Sequence, residues 1–180
     1  MFADDLNIFK IFDRRTADEE IGNVLSRTRQ RIHKWGSLNR VSFDASKEGI
    51  AIIHPLLHSS ADFKLLGIIF DPALSMRRDI DDLVSRCRPK IRALLRTRSH
   101  YSISELLNQF KTHVWSLVEY HTPVLFHAAP SNIDKLDQLQ RTFLHELGID
   151  EAVAFLDLNF PPLSIRRNIG MLGFLHTVSY

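Results

Sequence analysis

Apolar residues fall into two kinds of pattern along this chain. Up to about residue 72 they come mostly in short runs. Leu6 to Phe12, apolar except at Asn7 and Lys10, reads as a short strand. Val41 to Phe43 and Ile50 to Ile53 read as two more, joined by the polar turn Asp44 to Gly49 and ended by Pro55. Phe63 to Phe70 reads as a further strand with Gly67 in its middle, closed by Asp71-Pro72. Between the first two runs lies one helical pattern. Thr16 with Glu19 has capping-box spacing. Ala17, Ile21, Val24, Leu25, Thr28, Ile32 and Trp35 then share one face, and Gly36 is the expected stop.

After Pro72 the period is helical throughout. Ile80, Leu83, Val84, Cys87, Ile91, Leu94 and Leu95 form one face, with a kink or break expected at Pro89. A second helix runs from Ile103 through Val118 and is expected to end near Thr122-Pro123. A third starts at Ser131 or Asn132 and stops at Gly148. Pro161-Pro162 opens a last one through Ile169, Leu172 and Leu175. The expected fold class is α+β: a small mixed part over residues 1–72, then an all-α bundle over residues 73–180.

Composition agrees with a folded chain. Of the 180 residues, 44% are hydrophobic and 24% charged, which excludes a disordered or collagen-like chain. No apolar run reaches the roughly 18 residues of a membrane span. Asp4 and Asp5 stand where a secretory leader would be basic and then apolar, so an intracellular, soluble protein with no membrane partner is expected. The single cysteine, Cys87, forms no internal disulfide and is read as core. Trp35 and Trp115 are read as core anchors. His54/His58 and His121/His127 lack a carboxylate or cysteine at zinc-ligand spacing.

Charge is informative locally. The net charge is only +2, but Arg77 to Arg98 holds eight basic residues against three aspartates, a local +5. Seven of the eight are Arg, which grips phosphate with a planar fork. The sharpest chemical feature is Asp4-Asp5. Adjacent carboxylates repel by about 1 kcal/mol in water and about 4 kcal/mol near a protein surface, and a divalent cation relieves that repulsion.

Phe2-Ala3-Asp4-Asp5-Leu6 resembles the aromatic-Ala-Asp-Asp box of reverse transcriptases. Phe43-Asp44-Ala45-Ser46-Lys47 looks like the next palm motif, and Phe63-Lys64-Leu65-Leu66-Gly67-Ile68 is similar to the primer-grip hairpin. Leu74-Ser75, the Arg-rich helix, Leu117-Val118-Glu119-Tyr120 and Leu163-Ser164-Ile165-Arg166-Arg167 follow in the order seen in non-LTR retrotransposon polymerases. The resemblance covers nearly the whole chain and implies a partial palm followed by a helical thumb.

The resemblance implies that Asp4 and Asp5 are the catalytic pair holding two Mg²⁺ ions, which in such sites lie ~3.5–4 Å apart. Lys47 matches a lysine to which proton donation to pyrophosphate is ascribed. Leu65, Leu66 and Gly67 match the hairpin that positions the primer end. Arg86, Arg88, Lys90, Arg92, Arg96 and Arg98 would contact the phosphate backbone of an RNA template and DNA primer without reading sequence. They span several faces of their helix, so only some of them reach one duplex.

Phe2 replaces the more usual Tyr, and Asp44 the more usual Asn. The family's fingers and third catalytic aspartate belong upstream of the box, so the expectation is a C-terminal fragment of a polymerase, inactive alone. The alternatives are a non-catalytic nucleic-acid-binding helical module and an inert pseudogene product.

Overall fold

The computed structural model describes residues 6–44, 46–54 and 62–179. It is mostly helical, with one two-stranded antiparallel sheet among the described residues. Two compact units divide after Ile50. The hairpin therefore belongs with the helical part, whereas the apolar pattern had placed the change of character at residue 72.

In the first unit, helix α1 spans Asp18–Leu38. Thr16 does not cap it. Ala17 stands at the N-cap with no side-chain bond, because Thr16 is used in a turn, its amide donating to the Asp13 carbonyl at 3.0 Å. Asp18, Glu19 and Glu20 in the first turn complement the helix dipole instead. Gly36 does not stop the helix either. It lets the chain fold back on it: a Cβ at Gly36 would lie 2.6 Å from the Phe43 ring and 2.7 Å from the Val41 carbonyl oxygen. The true stop is Asn39, whose amide and side chain both donate to carbonyls of the last turn.

The strands expected at Leu6–Phe12, Val41–Phe43 and Ile50–Ile53 do not form. Strand backbone needs a neighbouring strand to take its N–H and C=O groups, and no ladder partner for these runs lies among the described residues. Phe9 and Ile11 are 90% and 88% exposed, and Trp35, expected in the core, is 54% exposed.

In the second unit, β1 (Phe63–Leu65) pairs with β2 (Ile68–Phe70) in the register Phe63↔Phe70, Lys64↔Ile69, Leu65↔Ile68. Gly67 therefore lies at a turn and not inside one strand. Leu66 and Gly67 have φ of 49° and 87°, the two positive values that a two-residue type I′ turn demands.

Helix α2 spans Arg77–Arg96 and runs unbroken through Pro89. Pro89 lies on the exposed side, where the carbonyl it leaves unpaired can turn to water. A 3₁₀ turn, Arg98–His100, leads to α3 (Ile103–Phe110), which starts with a true capping box between Ser102 and Glu105. A π-helical turn, Lys111–Trp115, joins α3 to α4 (Ser116–Leu125). Helix α4 continues past Pro123, contrary to the expected stop. Its face of Val118, His121, Thr122 and Leu125 is buried, and that packing outweighs the local bias against helix before proline. Helix α5 (Pro130–Glu146) has Pro at its first position, and Gly148, just past its C-cap Leu147, turns the chain away with φ 69°. Short α6 (Glu151–Leu156) follows, then α7 (Leu163–Val178) after the two prolines.

Helix α2 packs chiefly on α5, and α4 on α7. Phe110 is the centre of the core, its ring 4.5 Å from Phe143 and 5.4 Å from Phe160. Trp115 is buried as expected, stacked on Phe160 at 4.5 Å. Cys87 is fully buried, and burial pushes its thiol up to about 11. No described helix is long and apolar enough to cross a membrane.

Candidate nucleic-acid interface

Helix α2 sorts its residues by face. Ile80, Leu83, Val84, Cys87 and Ile91 enter the core, and the basic residues are turned out. Arg86, Arg88, Lys90, Arg92, Arg96 and, just beyond the helix, Arg98 are all exposed. They are not equivalent. Arg86 lies 3.4 Å from Asp82, and Arg98 lies 3.9 Å from Glu146. Arg88, Lys90, Arg92 and Arg96 have no ion-pair partner among the described residues.

Spacing separates these four again. Arg88, Arg92 and Arg96 recur every fourth residue, which makes a row with about 6 Å of rise per step, and Lys90 points elsewhere. An open depression of about 760 Å³ lies beside the row, lined by Pro89, Arg92, Leu95, Arg96, Arg98 and Ser99. Its lining holds the guanidinium groups of Arg92, Arg96 and Arg98, of which Arg98 is the one with an acid nearby among the described residues, Glu146 at 3.9 Å.

The hairpin is fixed to this same helical piece. Asp79 on α2 is fully buried. Its Oδ1 accepts the Ile69 amide at 2.9 Å, and its Oδ2 accepts from His121 Nδ1 at 2.7 Å. Tyr120, the neighbour of His121 on α4, donates its hydroxyl to the Leu66 carbonyl at 2.8 Å. The lead into α2 is held by Asp71. Its carboxylate accepts the Ser75 amide and hydroxyl, both at 3.0 Å, and the Met76 amide at 2.9 Å. Burial pushes the Asp71 carboxyl up, but these bonds together hold it below its ordinary value.

The two stretches quoted from the later helices meet in space. Glu119 on α4 pairs with Arg166 on α7, and the Arg166 guanidinium lies 4.0 Å over the Trp115 ring. Arg167 makes a two-pronged bond to Asp137 at 2.6 and 2.9 Å.

Three sequence candidates remain: Asp4, Asp5 and Lys47. Asp4 and Asp5 are outside the described residues. Lys47 belongs to the first unit, in an exposed turn where its Nζ is 3.9 Å from Asp44 Oδ2. The Asp44 carboxylate is itself occupied by the Ser46 hydroxyl at 2.6 Å and the Ser46 amide at 3.0 Å, which hold it below its ordinary value. No cluster of three or more His, Cys, Asp or Glu suited to a metal occurs among the described residues.

Sequence spacing missed the buried pair. His121 has its carboxylate 42 residues upstream, in Asp79. A signal was present: Asp79 lies one turn before Leu83, and His121 between Val118 and Leu125, both on core-facing stripes where a lone polar group needs a partner. Compared with known protein families, curated proteins and solved structures, the chain gives no match.

Proposed function

We propose that this chain is the palm-and-thumb portion of a non-LTR retrotransposon reverse transcriptase, whose helical unit holds the sugar–phosphate backbone of an RNA–DNA duplex. The complete enzyme would catalyse RNA-templated DNA synthesis by nucleotidyl transfer. In this reading Asp4 and Asp5 would hold Mg²⁺, which would supply charge stabilisation for the nucleotidyl transfer. The hairpin tip at Leu65, Leu66 and Gly67 faces the primer end, and Arg88, Arg92 and Arg96 hold phosphates.

One observation carries the reading. The hairpin tip is bonded directly to the bundle whose α2 presents three arginines in a row, without acidic partners among the described residues. The exposure of these guanidinium groups supports contacts of the kind that orient a duplex without reading its bases. The same row also suits a nucleic-acid-binding module with no polymerase activity.

Primer extension separates the two. The chain is joined behind a segment bearing the fingers and remaining palm, then given an RNA template, a DNA primer and Mg²⁺. The expected result is extension that Asp4→Asn with Asp5→Asn abolishes, with the circular dichroism spectrum unchanged. Extension that survives both substitutions refutes the catalytic assignment. Duplex binding with no extension by the unsubstituted protein leaves the binding module.

A further inference from the structure

The hairpin is too small to hold its own position. Each strand has three residues, and an isolated pair of strands is marginal in water. Its turn also uses a costly residue. Leu66 is a bulky side chain at φ 49°, in a turn type that favours Asn or Gly at that position. Leu66 nevertheless remains 62% exposed and fills no core position. A strained, exposed residue persists when surrounding contacts fix it.

Those contacts are few and specific. Asp79 takes the Ile69 amide on β2 and is braced by His121, both of them buried. Tyr120 donates its hydroxyl to the Leu66 carbonyl inside the turn itself. Arg78 pairs with Asp62, the residue before β1, at 3.1 Å. Asp79 and Arg78 lie on α2, the helix that carries the arginine row, and Tyr120 and His121 lie on α4. The turn is therefore fixed in the frame of α2 from two sides.

We propose that Asp79, His121 and Tyr120 are positioning residues that latch the Leu66–Gly67 tip to the helical bundle, so that the tip meets a nucleic-acid duplex already fixed relative to the bundle. The binding half of this proposal rests on the nucleic-acid reading above. The latch half stands on the hydrogen bonds alone. Preorganisation raises affinity by removing the ordering cost at the moment of binding. It adds no phosphate contact, so its loss leaves the salt dependence unchanged.

Tyr120→Phe removes only the hydroxyl, at a residue that is 57% exposed, so the fold survives it. Two measurements are made on the whole chain. Amide hydrogen exchange at Leu65 and Ile68 is expected to quicken by about fivefold, with the amides of α5 unchanged. Affinity for an RNA–DNA hybrid duplex is expected to fall by a similar factor of about five, with the same log–log salt slope as the unsubstituted chain. Unchanged exchange in the hairpin overturns the latch, whatever the duplex does. Faster exchange with undiminished affinity overturns the claim that the latch serves binding. If the unsubstituted chain binds no duplex, the nucleic-acid reading and the binding half fall together, and the exchange measurement still decides the latch.

Discussion

The two units handle their apolar residues in opposite ways. Beyond Ala51, the described apolar side chains largely converge on one core around Phe110, Phe143 and Phe160. Up to Ile50, the only buried described residue is Gly36, although Leu6, Ile8, Phe9, Ile11 and Trp35 are as apolar as anything in the core. An amphipathic helix alone does not make a core; it needs a second apolar layer to cover it. Local devices hold the first unit together instead. Phe43 lies over Gly36, and Glu48 takes both Arg29 and His33 at 2.7 Å. The partly exposed Arg29–Glu48 ion pair contributes little, about 0–1 kcal/mol.

This contrast can be tested from its largest expected effect downwards. Phe110→Ala is expected to cost about 3–5 kcal/mol in chemical denaturation followed by circular dichroism. Trp35→Ala removes a larger ring but is expected to cost under about 1 kcal/mol, because half of that ring already meets water. Equal losses for the two would break the comparison.

Asp79→Ala is expected to cost about 3 kcal/mol in the same assay, since it strands the His121 ring nitrogen and the Ile69 amide in a buried site. A loss as small as that for Trp35→Ala would show that the pair is not structural. Cys87, with its thiol raised to about 11 by burial, is expected to resist alkylation at pH 8 until the helical unit unfolds. Its labelling and the circular dichroism change should share one denaturation midpoint. Labelling well below that midpoint would show that the second unit does not unfold as one body.

The smallest effect concerns pH. The Asp71 carboxyl titrates below its ordinary value of 3.8 in the folded chain, so below that pH the unfolded chain binds the extra proton. The stability it contributes is fully present above pH 3.8 and is lost as pH falls further. Asp71→Asn should flatten that acid limb and leave the neutral-pH limb parallel to that of the unsubstituted chain. An unchanged acid limb would remove Asp71 from the account of how α2 begins.

Helices were the legible part of this chain, because their apolar faces repeat within a few residues. The start of α5, read at Ser131 or Asn132, lies at Pro130, and its end at Glu146 lies two residues before the expected stop at Gly148. Prolines misled where tertiary packing decided: Pro89 sits harmlessly on the exposed side of α2, and Pro123 rides within a face held by Val118, His121, Thr122 and Leu125. The apolar runs at Leu6–Phe12 and Ile50–Ile53 have strand composition, but strand formation depends on a neighbour the run itself does not specify. The arginines were legible as exposed charge. The row within them follows from the unbroken helix through Pro89, which keeps Arg88, Arg92 and Arg96 in phase. Tyr120 and Leu66 are 54 residues apart, and their bond was invisible to any short-range pattern.

The central claim is that Arg88, Arg92 and Arg96 hold the backbone of a duplex. The direct test is the salt dependence of binding to an RNA–DNA hybrid, read by fluorescence anisotropy, for the unsubstituted chain and for Arg88→Ala/Arg92→Ala/Arg96→Ala. The account predicts that the log–log slope becomes shallower by about 2 to 3 in the triple variant, close to one counterion per lost phosphate contact, with melting unchanged. A slope that is flat in the unsubstituted chain, or the same in both proteins, contradicts it.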